Sequence, residues 1–194
     1  MTPSRAKGIA AVSCAGLALA GAVVVAAGAV DARWAVARDL WLARASGWIA
    51  LGALGLAVVM SPIARVAPRR IPGALFPALR RAFGITSASA ALVHATLAVA
   101  GYLKGSLAAV TELPHLRSGL VALAILSALL VTSFPPIVTA LRFRPWKELH
   151  RLAYVAAFFV LLHTLSSPFG SRTVVLTFFG VLIVSGMLRL VPKR

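Results

Sequence analysis

Residues 82–103 read AFGITSASAALVHATLAVAGYL. Over 22 residues there is no Lys, Arg, Asp or Glu, and the one histidine is His94. A helix needs about 20 apolar residues to cross the hydrocarbon core of a bilayer. This stretch is long enough, and its Ala, Gly and Ser suit helices that pack backbone to backbone. Five further stretches read the same way, giving spans at Gly8–Val30, Ala45–Ala64, Ala82–Leu103, Ser118–Leu141, Leu149–Ser167 and Thr173–Leu190. Ten-residue alternating strands, the signature of a membrane barrel, are missing. The expected fold is an all-α integral membrane protein, a single domain over residues 1–194 built as a six-transmembrane-helix bundle.

Composition supports that reading. Of 194 residues, 60% are apolar and 12% charged, against about 25% charged in an ordinary soluble domain. The mean hydropathy is +0.94. A soluble chain of this size cannot hide so much apolar surface. A soluble enzyme, a disordered protein and a disulfide scaffold are thereby excluded. Cys14 is the single cysteine and sits in an apolar run, so it reads as a small buried residue. Residues 8–30 exceed the 7–15 apolar residues of a signal sequence, so they read as a retained first span.

The formal charge of +16 would suggest nucleic acid in a soluble protein. Here its distribution is a topology signal. Arg5, Lys7, Arg65, Arg69, Arg70, Arg80, Arg81, Arg142, Arg144, Lys147, Arg151, Arg189, Lys193 and Arg194 fall on one side, 14 against 6 on the other. Positively charged loops stay in the cytoplasm, so both termini are expected there, as an even number of spans requires. The loop Ala67–Arg81, APRRIPGALFPALRR, mixes arginines with apolar residues and reads as a segment lying on anionic headgroups or, as the second reading, a docking surface for an acidic partner. Pro135–Pro136 should kink or end the fourth span. No internal repeat is evident.

Ionisable groups inside apolar spans are costly and mark functional positions. No acid lies in mid-span, so a carboxylate proton relay is unsupported. Histidine remains. His94 lies 12 residues past Ala82 and His163 lies 14 past Leu149, about 18 and 21 Å along parallel helices. Two imidazoles at matched depth are what a six-coordinate haem iron needs, an arrangement suited to electron transfer. Ser87, Ala90, Ala91, Ala98 and Gly101 share the His94 face and leave a slot for a flat macrocycle. His150 is 13 residues from His163, about 20 Å away, and cannot share its iron. With Trp146 it reads either as an interfacial anchor or as a ligand or neighbour of a second cofactor. The position 13 residues before His94 is Arg81, which could pair with a propionate or phosphate. His115, in ELPHL, reads as a loop residue on the far side.

The stretches SGWIALGALGLAVVMSPI (46–63), LRRAFGITSASAALVH (79–94) and RPWKELHRLAYVAAFFVLLH (144–163) resemble the ferric reductase-like transmembrane domain. Within it they are most similar to the MsrQ (YedZ) family, haem-binding membrane subunits of the bacterial protein-methionine-sulfoxide reductase system. The resemblance implies a b-type haem on His94 and His163, with His150 a further family histidine and room for a second haem, FMN or a quinone. It implies electrons from a cytoplasmic flavin reductase or quinol, crossing the inner membrane to a periplasmic molybdopterin methionine-sulfoxide reductase. Such a chain is an oxidoreductase subunit that is catalytic only with its partner. Two other readings fit the same residues: a ferric or other metal reductase with a different acceptor, and a cofactor-free membrane scaffold or transporter subunit.

Overall fold

The computed structural model describes residues 35–66, 75–141, 143–168 and 170–187. The expected first span, Cys14, most of the 67–81 loop and the basic C-terminus lie outside them. The described residues are helical. In lipid, a helix satisfies its own backbone polar groups without help from water. The elements are α1 (Ala35–Val66), α2 (Leu75–Leu97), α3 (Leu107–Glu112), α4 (Pro114–Val131), α5 (Pro135–Leu141), α6 (Phe143–Leu149), α7 (Leu152–Ser166) and α8 (Arg172–Met187).

Four helical stretches are long and apolar enough to cross a membrane: Arg38–Ala64, Leu75–Tyr102, Pro114–Val131 and Arg144–Ser166. Arg172–Val184 is a shorter apolar helix. The chain is therefore a multi-pass membrane protein. Several expected boundaries move: the second span begins at Arg38 rather than Ala45, and the fifth at Arg144 rather than Leu149. The fourth span stops at Val131, not Leu141, because Pro135 opens a separate helix after the Thr132–Phe134 turn. The loop expected to run to Arg81 ends at Leu75, and Arg80 and Arg81 sit inside α2.

Two antiparallel hairpins make the core. α1 lies along α2, and α4 lies along α7. Their contacts fix the directions. Ala43 meets His94 and Ser61 meets Arg80 on the first pair. His115 meets His163 and Ser133 meets His150 on the second. Because Arg81 also reaches Ser133 while His94 faces His163, α2 and α7 run parallel. The centre is filled by Leu54, Val58, Ala88, Leu126, Ala156 and Ala157. Small residues let the backbones close up: the buried Ser87 hydroxyl donates to the Ala50 carbonyl across α1–α2 at 2.8 Å. Phe158, Leu176, Ile183 and Val184 point outward, as a lipid-facing surface should.

The hairpins repeat one another. Ser46–Leu54 reads SGWIALGAL and Ser118–Leu126 reads SGLVALAIL, 72 residues later. Ala50, Leu54 and Ala57 are buried in α1, as are their counterparts Ala122, Leu126 and Leu129 in α4. In the second helices the offset is 69: His94 pairs with His163, Arg81 with His150, and buried Ser87–Ala88 with buried Ala156–Ala157. An internal repeat that the composition hides is thus visible in space. Both copies keep the same direction, the arrangement of parallel repeats about an axis along the membrane normal.

Candidate functional site

His94 comes from α2 and His163 from α7. Their ring centres are 6.0 Å apart with planes at 75°. An imidazole–metal bond of about 2.0–2.1 Å, the zinc value, puts the metal about 3.2 Å from the ring centre. One ion shared by two rings would separate their centres by about 6.4 Å on that bond length. The observed spacing is close to this.

Each ring is held by the same device. His94 Nδ1 lies 2.6 Å from the Ala43 carbonyl, and His163 Nδ1 lies 2.7 Å from the His115 carbonyl. A carbonyl can only accept, so Nδ1 carries the proton and donates, and the Nε2 lone pair is left for a metal. The hydroxyl three residues on donates to the same carbonyl: Ser46 to Ala43 at 3.0 Å and Ser118 to His115 at 2.8 Å. The residue four on is glycine. A Cβ on Gly47 would lie 3.0 Å from His94 Nδ1, and one on Gly119 would lie 2.8 Å from His163 Nδ1. Carbonyl, serine and glycine on the partner helix thus fix each ring's tautomer and position, as outer-shell groups do for metal ligands.

The two rings line a cavity of about 480 Å³ between α1, α2, α4 and α7, within the size range of cofactor sites. Of the small residues on the His94 face, Ser87, Ala91 and Ala98 line it, whereas Gly101 packs against Asp39. Among the described residues no group of three or more His, Cys, Asp or Glu could hold a metal. The facing pair His94 and His163 is thus a two-imidazole donor set. That donor set fits a haem, whose macrocycle supplies the other four ligands.

His115 is not in a loop. It follows Pro114 in the first turn of α4 and lines the same cavity, its ring 6.2 Å from that of His163. Its backbone carbonyl, not its ring, holds His163. Sequence reasoning missed Gly47, Gly119 and their serines. The repeated SGxxAL was the signal available.

The other end of the bundle carries Arg81, Trp146 and His150. Pro135 ends α4 there and leaves carbonyls with no helical partner. Trp146 Nε1 donates to the Thr132 carbonyl at 3.0 Å, and Arg81 Nη2 donates to the Ser133 carbonyl. His150 Nδ1 is 3.0 Å from the Trp146 carbonyl, and its Nε2 is 3.3 Å from the Ser133 hydroxyl. The Trp146 and His150 rings stack at 4.2 Å. His150 thus has its Nδ1 on a carbonyl, as His94 and His163 do, while the Ser133 hydroxyl beside its Nε2 donates to the Leu129 carbonyl at 2.7 Å. Arg81 Nε is buried with no hydrogen-bond partner.

Residues 46–162 match the family model described as ferric reductase like transmembrane component. The protein-methionine-sulfoxide reductase heme-binding subunit MsrQ of Deinococcus radiodurans is 39% identical over 92 residues. That alignment covers 44% of this chain and 44% of the relative, so the chain matches under half the length of that protein. No solved structure matches. The family match takes in α1 from Ser46 onward, all of α2 and α4, and α7 as far as Leu162, parts of the four helices that line the cavity, and the chain belongs to the ferric reductase-like transmembrane component family.

Proposed function

We propose that this chain is a haem-holding membrane subunit that passes electrons from a cytoplasmic flavin reductase or the quinol pool, across a bacterial inner membrane, to a periplasmic molybdopterin methionine-sulfoxide reductase. The observation that carries the reading is the pair of histidines facing at 6.0 Å with both Nδ1 atoms tied to carbonyls. His94 and His163 would hold the iron, and the haem would supply one-electron cycling between ferric and ferrous states. Similarity to a relative named as a heme-binding subunit supports the cofactor.

The chain's own contribution is ligation and burial. Ala43 and His115 keep each ring in the ligating tautomer. Leu54, Leu126 and their neighbours keep water from one end of the cavity. The charge count supports six spans with both termini in the cytoplasm, which sets Arg80, Arg81, Lys147 and His150 on the cytoplasmic side. His163 and His150 are 13 residues apart, about 20 Å along the helix. We assign the Arg81–Trp146–His150 cluster to electron entry, as a site for a quinol or flavin. The orphan Arg81 Nε offers a donor to its polar head. A second haem on His150 is less well supported, because the position that would carry its partner histidine, 13 residues before His94, is Arg81. The family description also favours a second reading, in which the same conduit serves a ferric or other metal acceptor.

Colour is the test. Membranes containing the protein should show a b-type reduced-minus-oxidised spectrum, absent in His94→Ala and in His163→Ala. A folded but colourless wild-type protein ends the proposal.

A further inference from the structure

The cavity has two unlike ends. Toward the basic end its walls are Ala50, Leu51, Leu54, Ala122, Leu126 and Val160. The one polar side chain there, Ser87, spends its hydroxyl hydrogen on the Ala50 carbonyl. Beyond the histidines, at the opposite end, the wall includes Arg44, Tyr102, Thr164 and Ser167. Among the described residues that line this cavity, Arg44 is the only Lys, Arg, Asp or Glu.

Arg44 is placed by the device that places His94. It follows Ala43, whose carbonyl accepts from His94, and it precedes by three residues Gly47, on which that ring rests. Its Cα is therefore about 4.5 Å nearer the start of α1 than that of Gly47. The residue is exposed and has no ion-pair or hydrogen-bond partner among the described residues. It nevertheless lies within a span, Arg38–Ala64. A lone cation in a span is costly unless it finds an anion or reaches water. The three acids among the described residues, Asp39, Glu112 and Glu148, do not line the cavity.

We propose that Arg44 is the carboxylate anchor of this cavity, so that the ligand held between His94 and His163 enters with its acidic arms toward Arg44 and its apolar edge against Leu54 and Leu126. This rests on the haem reading above: haem has one apolar edge and two propionates, and the cavity has one apolar end and one cationic rim. A guanidinium matches a carboxylate in a paired, charge-assisted geometry.

The test uses full-length protein from haem-limited cells, reconstituted in lipid nanodiscs. It is titrated with iron protoporphyrin IX and with its dimethyl ester, which has the same ring and no carboxylate. Wild type should favour the diacid over the ester about tenfold more strongly than Arg44→Ala does, since a hydrogen bond to a charged group is at stake. Arg44→Lys should keep most of the preference. Comparing ratios cancels the ester's greater affinity for lipid. The ligand-field spectrum should be the same in all three proteins, because both histidines remain. Equal preference in wild type and Arg44→Ala overturns the anchor and leaves Arg44 as a side chain reaching for the interface. Failure of every variant to bind either porphyrin overturns the haem reading, and the anchor with it.

Discussion

Replacing Gly119 by alanine puts a methyl carbon 2.8 Å from His163 Nδ1 and 3.1 Å from its Cε1. Ordinary contact begins near 3.4 Å, so ring and helix must part by about 0.6 Å in a close-packed interior. The ring sits on that helix through Nδ1, 2.7 Å from the His115 carbonyl. The same displacement stretches this bond to about 3.3 Å, past the usual 2.7–3.2 Å range. Losing that outer-shell bond should weaken iron binding by about 10–100-fold. Overpacking should add about 1–3 kcal/mol of destabilisation. Gly47→Ala should act likewise but less severely, since its methyl would meet His94 Nδ1 at 3.0 Å. Gly52→Ala is the control: it lies on α1 beside the site, yet nothing is within 4 Å of its Cβ position. The assay is haem per chain and the α-band of the reduced spectrum in purified protein, with thermal unfolding beside it. If Gly119→Ala binds haem with unchanged affinity and an unshifted band, the carbonyl–glycine device does not position the ligand.

The 75° angle between the His94 and His163 planes should give a strongly anisotropic low-spin ferric EPR signal; a rhombic signal typical of parallel imidazoles would contradict the geometry. His150→Ala should slow reduction from the cytoplasmic side while leaving the His94–His163 spectrum intact, and unchanged reduction kinetics would remove His150 from the path. Ser87→Ala removes the α2–α1 hydrogen bond to Ala50 and should cost about 0.6–1 kcal/mol in thermal or denaturant unfolding; haem content should stay within error, because the histidines keep their own anchors.

Much of the site was legible in the sequence because depth in a helix is a linear count. His94 and His163 lie at similar distances from the expected starts of their spans, Ala82 and Leu149, and parallel helices turn equal counts into equal heights. Pro135–Pro136 likewise announced the end of α4, because proline lacks the donor that a helix needs. Boundaries were less legible: Arg80 and Arg81 entered α2, since long basic side chains can sit within a helix and still reach polar groups at its end. Ser61 and Ser133 provide those groups here.

Hydropathy alone determined that this chain lives in a bilayer, because 60% apolar residues in blocks of about 20 leave no soluble alternative. It also marked His94 and His163 as imidazoles set deep in its spans. Tertiary structure decided which groups hold those rings. The Ala43 and His115 carbonyls, and the glycines that make room beside them, carry no chemical signature, since every residue has a carbonyl and membrane helices are rich in glycine. Only the packing of α1 on α2 and of α4 on α7 brings a carbonyl, a serine and a glycine to each imidazole. That same packing reveals two copies of one hairpin, and it leaves Arg44 on the rim of the cavity between them.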